Sequence, residues 1–474
     1  MYLPSKLLAQ VNKVEKRAHV HRQLMGVDCW PVVRNTFMSL VSHRAPTRKN
    51  KVPILSYFYA LNDFLSACFF SVKADAMALT DVKYRAQVKG VFYYKDVSVI
   101  KDVLEQSGKS FHTFTQSHPQ SKGRETKVTS IFFLTALSVF FSKLLMWLDF
   151  RNVVPNYIQN IYNSPEFIGI PFDGIRNPKQ VEKNIYFVVV ASFLFSILLK
   201  RIRPKKCYIV CYYSSLGMAL CVACKKLGIE SVDIQHGVSG SNMRAYGQWY
   251  GLPSEGVNTL PNRFYCWTHM DAMAINKWSN KTPNHHAVLM GNIWRQYLVE
   301  QGQQFSLDEL KILQEVKGYQ KVVLYTARSK SLPDLVLDLL TCSPSHCLYV
   351  IRMHPDAVES DIEDLKRQLK VTEASYFVIN GHDTRIQSVL KLVDIHITEW
   401  SAVVYDAFFE GVPSIIISKV GCDYFCDFIQ QGYACYHHHG KEILSEIFSS
   451  SKLKNKGHLS FSKVRRNLIT DFSR

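Results

Sequence analysis

The stretch from 348 to 418 constrains the fold more than any other part of this 474-residue chain. It reads LYVIRMHPD, then a helix-compatible segment, then DIHITEWSAVVYDAFFEGVPSIIIS. The apolar run 348–352 is a strand that must stop by Pro355, which has no N–H to give to a ladder, so Arg352 and His354 project from a strand end. A second apolar strand, 394–398, ends in Thr398-Glu399-Trp400-Ser401. An amphipathic helix starts at once, with Val403, Val404, Ala407 and Phe408 on one face and Ser401 as its N-cap. Gly411 closes that helix, and Val412-Pro413 leads into a third apolar strand at 414–418. The unit is a strand, a helix and a parallel strand.

Ligands of such sheets sit outside the carboxyl ends of the strands. Here that edge carries a cation (Arg352), an imidazole (His354) and a helix N-terminus at Ser401, which together suit a phosphate or diphosphate. Asp406 lies within the helix, five residues before Gly411, where an acid can accept hydrogen bonds from ribose hydroxyls. This arrangement resembles the donor half of GT-B glycosyltransferases. Arg-x-His-Pro followed by Ser-x4-Asp-x4-Gly-x-Pro is similar to bacterial enzymes of capsule, O-antigen and related surface-polymer synthesis, among them Kdo transferases, polysialyltransferases and teichoic-acid glycerophosphotransferases. The resemblance implies an α/β, GT-B-like fold of two Rossmann-like domains facing a central cleft. It also implies that Arg352 and His354 meet the donor phosphates, that Glu399 and Ser401 help to cradle them, and that Asp406 meets the ribose. Where many members carry Glu, this chain has Asp406.

A chain of this length holds two cores, and 47% hydrophobic with 12% aromatic residues is globular composition. The formal charge of +18 asks for a polyanionic partner. No nucleic-acid module is present, since RNP-like strands, zinc-finger spacings and basic regions ahead of heptads are all missing from the sequence. An anionic nucleotide-sugar donor and the acidic inner leaflet of a membrane remain as partners. Most of the twelve cysteines sit in apolar strands or helices, which is reduced, intracellular usage, and Cys221-Val-Ala-Cys224 has no second pair to complete a metal site.

In chain order, residues 1–51 form a basic, helix-compatible lead in which Pro31 fits a first helical turn and Trp30 staples it. Strand and helix alternate from 52 to 115, and 116–129 reads as an exposed loop. Two apolar helices follow, at 130–148 and 185–199, joined by a Pro- and Asn-rich connection. The first is broken by Ser138, Ser142 and Lys143 and the second is short for a bilayer, so both are expected as buried or interfacial helices. The basic cluster 200–206 suits both a helix C-terminus and an acidic lipid surface.

A crossover unit at 207–234 then delivers Gln235-His236-Gly237, where a positive φ at Gly237 is expected to make a sharp turn. A strand-end histidine is rigid behind and open before, which suits a general base or a phosphate contact, and Gln-His-Gly is also what the surface-polysaccharide transferases tend to show. Asp233 is either buried in the strand or placed at its rim. In the Gly/Ser/Tyr-rich loop 238–261, Arg244 and Trp249 are candidate acceptor contacts. Domain boundaries follow: 1–298 for the acceptor domain, 299–451 for the donor domain, and 452–474 for a basic terminal helix or tail. Arg328, just past the strand 321–326, is a further phosphate candidate.

The expected reaction moves a sugar from a nucleotide-activated donor to a glycan or lipid-linked acceptor, with His236 as the catalytic group. Arg352, His354 and the amides at Ser401 neutralise the departing phosphate without a metal, because no Asp-x-Asp signature lies beside a strand end, and no cofactor is expected. The expected location is the cytoplasm, on the inner face of the cell membrane. Three alternatives share the architecture: a CDP-glycerol-type glycerophosphotransferase, a nucleotide-sugar epimerase and a non-catalytic membrane-bound assembly subunit.

Overall fold

The computed structural model describes residues 3–17, 20–41, 61–62, 73–88, 91–116, 128–168, 177–302, 307–327, 331–354, 357–370, 372–381, 384–451 and 459–473. Two parallel sheets organise them. The first contains β1 (Ala76–Thr80), β2 (Phe111–Thr115), β3 (Val128–Ser130), β4 (Lys206–Val210), β5 (Glu230–Ile234), β6 (Arg263–Cys266) and β7 (His286–Leu289), in the order β7-β6-β5-β4-β1-β2-β3. The second contains β8 (Lys321–Thr326), β9 (Cys347–Arg352), β10 (Ser375–Ile379), β11 (Ile395–Thr398), β12 (Ser414–Ile416) and β13 (Ala434–Tyr436), in the order β10-β9-β8-β11-β12-β13. Every neighbouring pair in both sheets is parallel. The strand order reverses between β1 and β4 in one sheet and between β8 and β11 in the other, and such switch points open a crevice at the carboxyl edge.

Parallel strands are covered on both faces, so they read as continuous apolar runs. Side chains still alternate: Val323 and Tyr325 of β8 enter one core, Val322 and Leu324 the other. In β1, Met77 and Leu79 divide in the same way from Ala76 and Ala78. The chain therefore forms a GT-B-like pair of Rossmann-like α/β domains.

The domains meet along their carboxyl edges. Helix α1 (Lys95–Gln106) lies in the first domain, as do α2 (Phe132–Leu148), α3 (Pro178–Ile202), α4 (Ser215–Leu227), α5 (His269–Ser279) and α6 (Ile293–Glu300). Helix α7 (Val403–Glu410) follows β11 in the second domain. A buried cluster joins Met270 of α5 to Val404, Tyr405, Phe408 and Phe428. Arg295 of α6 donates to Glu410 of α7 at 2.7 Å. The last helix, α8 (Phe461–Ser473), packs Val464, Leu468 and Phe472 on the first sheet, and its Asp471 accepts from Lys206 at 2.9 Å and from Tyr265 and Arg263.

Several sequence expectations need correction. The polar stretch 116–129 is not wholly loop, because β3 begins at Val128 and pairs with β2. The connection between the apolar helices contains a helix, Val153–Tyr162, and the second apolar helix begins at Pro178 rather than Ile185, capped by Asn177 accepting from the Gln180 N–H at 3.0 Å. Lys206 is withdrawn from the basic cluster, 3% exposed and paired with Asp471 and Glu230. Gly237 does not have positive φ, and a Cβ there would meet nothing within 4 Å. The turn after β5 is made instead by Gln235, whose side chain donates to the Gly237 carbonyl at 3.1 Å and accepts the Trp267 N–H at 2.7 Å.

Candidate active site

At the first switch point β4 is followed by Cys211, held at φ +70°. For a residue with a side chain that conformation costs about 1–3 kcal/mol. It turns the chain into Tyr212 and Tyr213, and Ser214 then caps α4 by accepting the Gly217 N–H at 3.0 Å. Gly217 is required there, since a Cβ would lie 2.5 Å from the Tyr212 carbonyl. Tyr213 is thereby placed beside His236.

The His236 Nδ1–H donates to the Ile234 carbonyl at 3.3 Å, which leaves Nε2 as an acceptor facing the Tyr213 hydroxyl at 3.2 Å. Tyr213 stacks on the imidazole and Tyr84 meets it edge-on at 5.1 Å. Burial, aided by Lys83 and Lys95, pushes the imidazole down to about 4, although the Ile234 bond opposes the shift. The imidazole is therefore neutral at pH 7 and a weak base. Arg244 is half-buried and acts electrostatically on Tyr213, so it belongs to this cluster. Trp249 does not: its ring is 4% exposed and lies under the Arg34 guanidinium at 3.8 Å, out of reach of an acceptor. Asp233 is buried, accepting from the Tyr212 N–H at 3.0 Å and the Tyr246 hydroxyl at 2.9 Å, and burial raises its carboxyl to about 7.

At the second switch point, register sets Arg352 of β9 opposite Thr326 of β8, and Thr326 opposite Thr398 of β11. Thr326 donates to Thr398 Oγ1 at 2.9 Å, and Thr398 Oγ1 accepts the Ser401 N–H at 3.1 Å. Ser401 Oγ accepts the Val403 N–H at 3.3 Å, but the N-cap of α7 is Ala402 rather than the expected Ser401, because Ala402 already has helical φ and ψ. The Glu399 backbone is fixed from behind, because its carbonyl accepts from Ser418 at 2.6 Å and Gly421 packs so tightly on it that a Cβ would lie 1.8 Å away.

Asp406 is half-buried and accepts from Gln387 at 3.1 Å. Burial raises its carboxyl to about 6, against the pull of Arg295, Gln387, Arg352 and Lys95. Arg352 spends Nη2 on the carbonyls of Gly381 at 2.7 Å and Thr384 at 3.3 Å, while its Nε is buried without a partner. Arg352 thereby anchors the segment after β10. His354 is exposed beyond β9. Arg328 lies outside the described residues.

Lys95 joins the two halves, acting electrostatically on both His236 and Asp406. It heads α1 at φ +35°. No motif marks Lys95, Tyr213, Gln387 or Arg295, and they converge only through tertiary structure. Arg295 alone had a local signal, following the helix-capping Asn292. The arrangement is chemically suited to an anion flanked by hydroxyl groups: Arg295, Arg352 and Lys95 all act electrostatically on Asp406, that carboxylate is able to accept from hydroxyls, and a neutral imidazole has a lone pair that now faces Tyr213. Among the described residues Cys435, His437 and Glu446 could hold a metal ion, with ligand atoms within 4.8 Å of one another, but they lie at the outer strand β13 of the second sheet.

No known protein family and no curated protein sequence matches the chain. Solved structures with a similar course include a UDP-N-acetylglucosamine 2-epimerase annotated from Listeria monocytogenes (11% identity, 84% of this chain and 95% of that one, TM-score 0.48). The UDP-GlcNAc 2-epimerase of Neisseria meningitidis bound to UDP-GlcNAc is similar at 10% identity, 84% and 99% coverage and TM-score 0.48. MurG of Acinetobacter baumannii is similar at 8% identity, 84% and 95% coverage and TM-score 0.42. Similarity at this level carries no argument about chemistry, and the GT-B-like assignment rests on the chain's own two sheets and their facing carboxyl edges.

Proposed function

We propose that this protein is a glycosyltransferase that moves a sugar from a nucleotide-activated donor to a hydroxyl of a glycan or lipid-linked acceptor, in the synthesis of capsule, O-antigen or a related surface polysaccharide. The observation that carries the reading is the meeting of the two carboxyl edges, where the Lys95 charge acts on both the strand-end imidazole of one domain and the half-buried acid of the other. In the reaction the bond from the anomeric carbon to the phosphate oxygen breaks and its electron pair leaves with the phosphate. The acceptor oxygen bonds to that carbon and gives up its proton.

Lys95, Arg352 and the amides around Ser401 neutralise the leaving phosphate, with His354 and Arg328 as further contacts. Asp406 accepts from the ribose, and Glu399 holds the turn between them. His236 Nε2, now bonded to Tyr213, orients the acceptor hydroxyl and takes its proton once the leaving group is charged. Arg244 flanks that subsite.

An epimerase of the same architecture needs available carboxylates at the first sheet's edge. Asp233 and Asp271 are each 1% exposed and bonded within the protein, which favours transfer. Thermal-shift measurements with UDP, CMP, GDP and CDP test the proposal, because a bound nucleotide raises apparent stability by mass action. One nucleotide is expected to raise Tm, with Asp406→Asn reducing the effect and His236→Gln preserving it while abolishing sugar transfer. No shift with any of the four, or loss of the shift in His236→Gln alone, overturns it.

A further inference from the structure

Helices α2 and α3 present an apolar face that none of the described residues covers. Phe140 is 63% exposed, Trp147 71%, Phe150 75% and Phe193 61%, values far above those of packed aromatic residues. Spacing makes the face continuous, because Phe140, Leu144 and Trp147 lie on one side of α2, and Phe193 and Ile197 on one side of α3. Between the helices runs a groove of about 720 Å³ lined by Phe141, Leu144, Leu148, Val189 and Phe193, with Lys225 and Lys226 of α4 at its border.

Charge around this face is one-sided. Lys143 and Arg151 are exposed on and just after α2, and Lys200 and Arg201 follow Ile197 at the end of α3. The one acid within 132–151 and 187–205 is Asp149, and its carboxylate already takes the Tyr186 hydroxyl and the N–H groups of Val153 and Val154. Helix α3 is long and apolar enough to cross a membrane, but 56% of its most apolar window is buried inside the protein, which fits a helix held in the core with one face outward better than a spanning one.

We infer that this face docks on an acidic bilayer: the aromatic side chains enter the headgroup boundary, the groove takes hydrocarbon, and the basic rim meets anionic headgroups. Two signals together are what stable peripheral anchoring needs, and the face supplies both. The inference is independent of the donor site, since vesicle binding requires no nucleotide.

The test is co-sedimentation of the full chain with phosphatidylcholine vesicles, with or without about one-third phosphatidylglycerol. Binding is expected with the acidic vesicles and at least about tenfold weaker with the neutral ones. Phe140→Ser/Trp147→Ser and Lys200→Glu/Arg201→Glu should each weaken it by about tenfold. Circular dichroism and Tm of both variants should match the parent, because the altered side chains are exposed. Equal binding to both vesicle types, or no change in either variant, overturns the inference. So does resistance to alkaline extraction, which marks an inserted helix, and so does conversion of a dimer to a monomer by Phe140→Ser/Trp147→Ser with vesicle binding intact, which marks a self-association surface.

Discussion

The Tyr405 hydroxyl donates to Asp271 Oδ1 at 2.6 Å, linking α7 of the second domain to α5 of the first. The same oxygen accepts the Ser239 N–H at 3.1 Å, while Asp271 Oδ2 takes the Thr268 N–H and hydroxyl at 3.1 and 2.6 Å. Both residues are 1% exposed, so this contact is a dry strut between the two carboxyl edges. Tyr405→Phe should cost about 1–3 kcal/mol, because a buried acceptor and a buried N–H lose their partner.

The loss should also depend on pH. Burial raises the Asp271 carboxyl to about 6, and the Tyr405 bond is one of the contacts that oppose the rise. Without it the folded-state pKa climbs further, while the unfolded value stays near 3.8. The folded variant then binds more protons than the unfolded chain over a longer range, and its stability keeps falling above pH 6 where the parent's levels off. Urea denaturation at pH 5 and pH 8 should show the gap between the two proteins widening, and a constant gap would refute the assignment.

Arg34 is the buried support of the loop after β5. Its guanidinium donates to Glu15 and to the carbonyls of Gly247 and Gln248 at 3.0 and 2.9 Å, and Glu15 also accepts from Trp30 Nε1 at 2.8 Å and the Tyr250 N–H at 2.9 Å. Both charged side chains are 0% exposed. Arg34→Met therefore strands a buried carboxylate and should cost about 3–5 kcal/mol in urea denaturation. Adding Glu15→Gln should recover part of that loss, and a double-mutant cycle showing no coupling would count against the pair.

The second half was legible because its signals are local: β9, β11 and β12 are short apolar runs cut by Pro355, Gly411 and Pro413, and that pattern alone places Arg352 and Ser401 at one edge, with Asp406 in the helix that follows. What escaped depends on distant partners. Three-residue β3 has no pattern of its own and exists because β2 offers it a ladder. Trp249 reads as a loop aromatic until Arg34, more than two hundred residues earlier, is seen to cover it. The early start of α3 was signalled by Asn177-Pro178, a cap followed by proline at N1, which the apolar count masked. Lys95 left no trace in the sequence, since its placement depends on a backbone angle and on the approach of a second domain.

His396 predicts a second pH dependence. It is 0% exposed between Thr326 Oγ1 and Ser414 Oγ, each at 3.0 Å, and burial pushes it down to about 3. The unfolded chain takes up this proton near pH 6.5 and the folded chain does not, so the contribution is complete above pH 6.5 and is lost as pH falls toward 3. At pH 5 the loss is about 2 kcal/mol. His396→Asn removes this titration, so the stability gap between variant and parent should be about 2 kcal/mol narrower at pH 5 than at pH 7.5. An identical gap at both values would show that His396 is not held neutral.

Lys95→Met tests whether one cation couples the two halves. Its charge contributes to holding His236 down and to holding Asp406 below the value that burial alone would give. Removing it should raise both, so the His236 ring-proton NMR titration should move upward from about 4. The nucleotide-dependent melting shift should shrink as well, reflecting affinity weaker by about tenfold, or about 1.4 kcal/mol. Lys95→Arg keeps the charge and should leave His236 low, which separates electrostatics from packing. A lysine that merely packs at the head of α1 would lower stability in Lys95→Met yet leave the His236 titration unmoved, and that result would break the link between the two edges on which the transferase reading stands.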